Sequence, residues 1–244
     1  MHTKTVLISG GTYGIGKGTA WRLLHDGHAV SAFSRDKKKV ALFRRELTVA
    51  TKDQSLVLQG DVTNEAHVKK VVQKTVQRFG AIDVLINNAG FGYFEEADKV
   101  DIRRFQDIVR TNLIGVTALT KHVIPYMKKQ RSGLVINIVS MSGKRAFAMG
   151  SFYSATKFGV MGYSEGIRHE LKSYGIKVCT VCPGMVDTAF FDRKEIMRRK
   201  KLAGGSVPPM LQVGDISSLI SYICAQPPHC DIQDITVMPF ETLK

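Results

Sequence analysis

Thr5-Val6-Leu7-Ile8-Ser9-Gly10-Gly11-Thr12-Tyr13-Gly14-Ile15-Gly16 is the stretch that decides how this chain folds. Its first half is a β-branched and apolar run, which predicts a buried strand over Thr5–Ser9. Glycines then cluster at Gly10, Gly14 and Gly16, and a helical pattern opens with Ile15, Ala20, Leu23 and Leu24 on one face. Strand, glycine turn, helix is the context that gives such a turn a purpose. Without side chains the backbone can approach a pyrophosphate, and free N–H groups at the helix start attract its charge. Any glycine cluster can also be a plain turn. The spacing here is not the common G-x-G-x-x-G; taken from Ser9 it reads Ser-Gly-x-x-x-Gly-x-Gly.

Outward from that turn, strand-like runs recur at Ala29–Ser34, Ser55–Gln59, Val84–Asn87, Leu134–Val139, Val178–Cys182 and Ile235–Met238. Amphipathic patterns between them predict helices over Ile15–Asp26, Lys37–Leu47, Asn64–Phe79, Ile102–Lys129, Ser151–Tyr174 and Val213–Ala225. Continuous apolar strands alternating with such helices imply a parallel sheet covered on both faces. Right-handed crossovers make this an α/β, doubly wound, seven-stranded sheet of Rossmann type, with ligands at the strands' carboxyl ends. No Pro/Ser-rich linker and no fixed-period repeat interrupts the alternation, so one domain is expected over residues 1–244.

Ser140, Tyr153 and Lys157 are the chemically richest group. Positions i and i+4 share a helix face, so the Tyr153 phenol and the Lys157 ammonium can point into one pocket. A cation beside a phenol favours the phenolate, and a serine hydroxyl can hold the oxygen that gains or loses the proton. The same spacing recurs at Tyr13/Lys17, inside the glycine turn and without such a serine, and is read there as coincidence.

Further motifs stand at or just after strand ends. Asp61-Val62 follows the third run, Asn87-Asn88-Ala89-Gly90 ends the fourth, Thr111-Asn112 lies in the next helix, and Pro183-Gly184 precedes Thr188. In this order the motifs resemble the single-domain branch of the short-chain dehydrogenase/reductase family across residues 4–190, with Ser9 where the family has threonine. The resemblance implies an oxidoreductase that interconverts a ketone or aldehyde and an alcohol by hydride transfer. Tyr153 would be its general acid/base, and Lys157 would lower the phenol's pKa and hold the cofactor ribose. Ser140 would hydrogen-bond the reacting oxygen, and Asn112 would hold a water that links the lysine to solvent. Cofactor contacts would come from Ser9, Gly10, Tyr13, Gly14, Ile15, Gly16, Asp61, Val62, Asn88, Ala89, Gly90, Pro183, Gly184, Val186 and Thr188, besides Tyr153 and Lys157. Asp61 would meet the adenine. The plainer reading makes Ser140 a turn hydroxyl and Asn112 a helix-bending residue bonded to its own backbone. Asn87 and Asn88 read more as supports of the sheet end than as chemistry.

The resemblance also implies a segment near 186–212 that covers the substrate, and a homodimer or homotetramer built on Ile102–Lys129 and Ser151–Tyr174. Reduction of a 3-oxoacyl thioester is one option within the class. A non-catalytic NADP(H)-sensing protein is the alternative outside it, and would need none of Ser140, Tyr153 and Lys157. Epimerases and dehydratases on this scaffold carry a larger C-terminal part than Phe190–Lys244 can form.

Cofactor choice is read at the end of the second strand. An acidic side chain there bonds the ribose of NAD and repels the extra phosphate of NADP. This chain has neutral Ser34 followed by Arg35, whose guanidinium can fork onto a phosphate, so NADP(H) is expected. The counter-reading turns Asp36 back onto the ribose.

The composition, 44% hydrophobic and 23% charged, supports a sizeable core. No apolar run reaches the length of a membrane span, and Met1–Lys4 leave no room for a signal peptide, so a cytoplasmic protein is expected. Net charge is +14, concentrated in part at Arg193-Lys194 and Arg198-Arg199-Lys200-Lys201. With Phe190 and Phe191 beside it, that stretch suits an anionic, partly apolar substrate, although a solvated basic face is the commoner reading. No nucleic-acid module accompanies the charge. Cys179 and Cys182 spell C-x-x-C within a strand, where side chains three apart face opposite ways, so free thiols and no metal site are expected.

Overall fold

The computed structural model describes residues 3–47, 49–190 and 209–240, together with residues 195, 197 and 205. Its strands are β1 (Thr5–Ser9), β2 (Ala29–Ser34), β3 (Ser55–Gln59), β4 (Val84–Asn87), β5 (Gly133–Ile138), β6 (Ile176–Pro183) and β7 (Asp234–Val237). They form one seven-stranded parallel sheet in the order β3-β2-β1-β4-β5-β6-β7. The strand order reverses between β1 and β4, and a crevice opens there beyond the carboxyl ends.

Helices α1 (Gly14–His25), α2 (Lys37–Glu46), α3 (Val49–Lys52), α4 (Glu65–Phe79), α5 (Ile102–Val109), α6 (Gly115–Gln130), α7 (Ser151–Leu171) and α8 (Val213–Cys224) surround the sheet. Alternate strand residues feed two cores. Val6, Ile8, Val30, Ala32, Ile86, Ile136 and Cys179 meet Leu23 of α1, Phe43 of α2 and Ile220 of α8. Leu7, Phe33, Leu85, Val135 and Val178 meet Val71 of α4, Val123 of α6 and Ile167 of α7. Burying both faces explains why these strands read as continuous apolar runs rather than alternating ones.

Two expectations from the sequence need correction. The helix expected over Ile102–Lys129 is interrupted by a π-helical turn at Arg110–Ile114, which separates α5 from α6. The cause lies in Asn112, whose amide is committed to a neighbouring loop as described below. The helix expected through Tyr174 ends at Leu171, and a 3-10 turn, Lys172–Tyr174, follows before Gly175 takes a left-handed φ of 69°. Elsewhere ends shift by a residue or two: β5 and β6 begin earlier than expected, and β7 is Asp234–Val237. Asn64 caps α4 rather than beginning it, its side chain accepting the His67 N–H at 3.1 Å. The short helix α3 has no periodic signal in the sequence.

Candidate active site

A cavity of about 740 Å³ runs along the carboxyl ends of the strands, from the loops after β2 and β3, past the glycine turn, to the loops after β5 and β6. At its centre Gly10 holds a left-handed φ of 63°, and Gly14 opens α1. A side chain at Gly16 would collide with the Gly10 carbonyl and the Asn88 amide, so only glycine lets the turn close this tightly. Tyr13, the N-cap residue of α1, makes no side-chain cap, which leaves the first-turn N–H groups facing the cavity. Such a cradle fits a pyrophosphate.

Ser9 and Gly16 stand behind this wall rather than in it. The buried Ser9 Oγ accepts the N–H groups of Asn88 and Ala89, both at 3.1 Å. In return the Asn88 amide donates to the carbonyls of Ser9 and Gly10, also at 3.1 Å. Asn87 ties α6 to β5 through Thr120 and Asn137, at 2.9 and 2.8 Å. Asn88, Ala89 and Gly90 line the cavity, as do Gly10, Tyr13, Gly14, Ile15, Asp61 and Val62. The Asp61 carboxylate already accepts the Thr63 N–H at 2.9 Å and its hydroxyl at 2.8 Å.

At the β2 end, Ser34 and Arg35 both line the cavity, and the Ser34 hydroxyl lies 2.7 Å from that of Thr12. Thr12 escaped the sequence reading. Asp36 lines the cavity too, and one of its carboxylate oxygens caps α2, accepting the N–H groups of Lys38 and Lys39 at 2.9 and 3.1 Å. The Lys39 N–H, opposed by desolvation and helped by the Lys38 N–H, holds this carboxyl below its usual range. Lys39 also lays its ammonium over the Tyr13 ring, 4.2 Å from the centroid. Lys17, the other half of the coincidental Tyr-x-x-x-Lys pair, is ion-paired to Glu46.

At the opposite end, Ser140, Tyr153 and Lys157 line one stretch of the cavity. Tyr153 and Lys157 are both buried in the first turns of α7, with Lys157 Nζ 5.7 Å from the centre of the phenol ring. That ammonium donates to the Ile138 carbonyl at 2.9 Å, and burial pushes its pKa down to about 8. Ser140 Oγ accepts the Ser142 N–H at 3.1 Å and lies 3.2 Å from the Ser142 hydroxyl.

Asn112 does not line the cavity. It is fully buried, accepts the Phe91 N–H at 3.1 Å and donates to the Phe91 carbonyl at 3.0 Å. Its amide also reaches Thr156 Oγ1 at 3.3 Å, and that hydroxyl donates to the Tyr153 carbonyl at 2.8 Å. The contact with its own helix, offered by the plainer reading, is replaced by a clamp between the loop after β4 and α7. A Cβ on Gly90 would lie 3.1 Å from Asn112 Oδ1 and 3.9 Å from Lys157 Nζ, which puts all three side by side.

Pro183 at the end of β6, with Gly184, Val186 and Thr188 in the loop after it, closes the cavity, and Leu211 pins that loop through hydrogen bonds with Met185 and Asp187, both at 2.8 Å. Phe190 meets the Tyr153 ring edge-on at 5.7 Å, and Phe94 does so at 5.5 Å. Phe94 in turn packs on Phe147 at 5.9 Å. Phe94, Phe147, Ser142 and Arg145 escaped the sequence reading, because loop residues carry no periodicity to mark which way they face. Phe191 and the basic stretch at 193–201 fall outside the described residues, apart from residues 195 and 197. Cys179 and Cys182 lie in different cores on opposite faces of β6, and burial pushes their thiols up to about 12 and about 11.

A family profile described as short chain dehydrogenase matches residues 4–199. The chain is 38% identical over 196 residues to a 3-ketodihydrosphingosine reductase of Bacteroides thetaiotaomicron, covering 80% of this chain and 69% of that one. It is 31% identical to an uncharacterized oxidoreductase of Staphylococcus saprophyticus, with 98% of each chain covered. Among solved structures, the closed form of serine dehydrogenase complexed with NADP+ superposes with a TM-score of 0.86 at 28% identity, covering 98% of both chains. No described helix is long and apolar enough to cross a membrane. Motifs, sheet order and relatives agree: the chain is an oxidoreductase and belongs to the short-chain dehydrogenase/reductase family.

Proposed function

We propose that the protein interconverts a ketone or aldehyde with its alcohol, using NADP(H), with Tyr153 as general acid/base. One observation carries this reading: a single cavity joins Ser140, Tyr153 and Lys157 to Thr12, Ser34 and Arg35. The bound cofactor would supply or accept the hydride. Its pyrophosphate would rest on the glycine turn and the start of α1, its adenine beside Asp61 and Val62, and its ribose near Lys157. Tyr153 would give its proton to the carbonyl oxygen while Ser140 holds that oxygen. The Lys157 ammonium favours the phenolate left behind, and Asn112 keeps Phe91, Gly90 and α7 in register around it.

A ketone is favoured over an aldehyde, because the Bacteroides relative is named for reduction of a ketone and because Phe94, Phe147 and Phe190 offer an apolar wall to the carbon beyond the carbonyl. Most of segment 186–212 beyond Phe190 lies outside the described residues. Association of two or four copies would bury Ile102, Ile114 and Phe158, which are exposed on α5, the π turn and α7.

NADP(H) preference is supported at the ribose end. One oxygen of Asp36 is committed to the cap of α2, while Arg35 lines the cavity beside neutral Ser34. The test is kcat/KM with NADPH and NADH over a panel of ketones. NADPH should be preferred, and Arg35→Ala should weaken NADPH by about 2 kcal/mol, roughly 30-fold, while sparing NADH. Ser34→Asp should move the preference toward NADH. A wild-type protein that prefers NADH would overturn the assignment.

A further inference from the structure

We propose that Arg145 is a specificity-determining residue that selects substrates carrying an oxyanion, a carboxylate or a phosphate ester, beyond an apolar group attached to the carbonyl. The proposal rests on the reductase reading and extends it to the substrate. Arg145 lies on the loop between Ser140 and Tyr153, is exposed, and lines the cavity. Its backbone N–H is fixed to the Met141 carbonyl at 2.9 Å, at the end of the turn that starts from Ser140. Among the described residues no carboxylate pairs with its guanidinium. Its neighbour Lys144, by contrast, is ion-paired to Asp234 and bonded to Thr236 at 2.8 Å, and points to β7 rather than the cavity.

Charge along the cavity is divided in a telling way. Both carboxylates in its described lining, Asp36 and Asp61, follow β2 and β3, and both already accept backbone hydrogen bonds, Asp36 from the first turn of α2 and Asp61 from Thr63. Near β5 and α7 the charged lining consists of Lys157 and Arg145, both cationic. Lys157 is assigned to the phenol and the ribose and already bonds the Ile138 carbonyl. Arg145 is therefore the cation left for the substrate, and its planar fork suits either oxyanion. Phe94 packs on both Tyr153 and Phe147, and Phe147 follows Arg145 by two residues on the same loop, so the cavity wall shared by Tyr153 and Arg145 is apolar and suits an apolar group between the carbonyl and the anion. The loop that carries Arg145 is held in place: the Glu95 N–H donates to the Met149 carbonyl at 2.8 Å, and Met149 has a left-handed φ of 62°.

The test compares matched ketones with NADPH: benzoylpropionate, its methyl ester, and a phenacyl phosphate, each with wild-type protein, Arg145→Gln and Arg145→Lys. Wild type should favour the anions over the ester, more weakly as ionic strength rises. Arg145→Gln should raise KM for the anions about tenfold and leave kcat and the ester unchanged, with partial recovery in Arg145→Lys. The two anion arms separate carboxylate from phosphate. Equal effects on anions and ester, or no preference in wild type, would overturn the proposal. If wild type reduces none of the ketones, the reductase reading is what has failed, and calorimetric binding decides Arg145 by itself. The acid must then bind more tightly than its ester in wild type, and Arg145→Gln must abolish that difference.

Discussion

Lys157 is 7% exposed, and its ammonium has the Ile138 carbonyl as acceptor rather than a carboxylate. Burial of an incompletely compensated charge favours release of the proton, which explains a pKa near 8 in the folded protein without cofactor. In the unfolded chain the same lysine titrates near pH 10.4. Between those values the unfolded state binds more protons, so this group's contribution to stability rises with pH through that window. Below about pH 8 its full cost is present, at most about 3 kcal/mol. Cofactor-free Lys157→Met should therefore be more stable than wild type at pH 7, and the gap should close as pH approaches 10. Urea midpoints of the two proteins across that range check this; a gap that does not change with pH would contradict it. A lysine kept against its own folding preference is what the proposed active-site role calls for.

At the scale of elements, the π turn at Arg110–Ile114 aims a fully buried amide at the Phe91 backbone and at Thr156, out of the regular helix track. Asn112→Ala would leave the Phe91 N–H and carbonyl without these partners and loosen the loop that carries Gly90. We expect a loss of about 1–3 kcal/mol of unfolding free energy, measured by urea denaturation, together with weaker cofactor binding. A stability unchanged within error would contradict the clamp. The turn was not legible in the sequence, because the apolar periodicity of Ile102–Lys129 runs through it and an inserted residue leaves no local mark. The strands and the glycine turn were legible, since a sheet buried on both faces writes its strands as unbroken apolar runs. Ser34, Arg35, Ser140, Tyr153 and Lys157 could be placed on strand ends and a helix face by the apolar runs, the helical spacing and the order of the motifs together. Arg145, Phe94 and Phe147 could not, because which loop residues face a cavity depends on how distant loops pack after the sheet has formed.

For the whole molecule, the sheet order brings the ends of β1 to β6 to one crevice and lets chemistry from residues 10 to 190 share one cavity. With 35 basic and 21 acidic residues the chain as a whole is positive, which favours approach of the proposed cofactor and substrate, both anionic. In the proposed reaction this cavity passes a hydride to a carbonyl carbon while Tyr153 supplies the proton to its oxygen. The most direct measurement follows deuterium from carbon 4 of labelled NADPH into the alcohol product, with wild-type protein and with Tyr153→Phe. The account predicts label on the carbinol carbon for wild type. It predicts turnover reduced by about 10²- to 10⁴-fold in Tyr153→Phe, with cofactor affinity within a few-fold, because only the hydroxyl is lost. An alcohol without the label, or a Tyr153→Phe protein that keeps more than about a tenth of the wild-type rate, would contradict it.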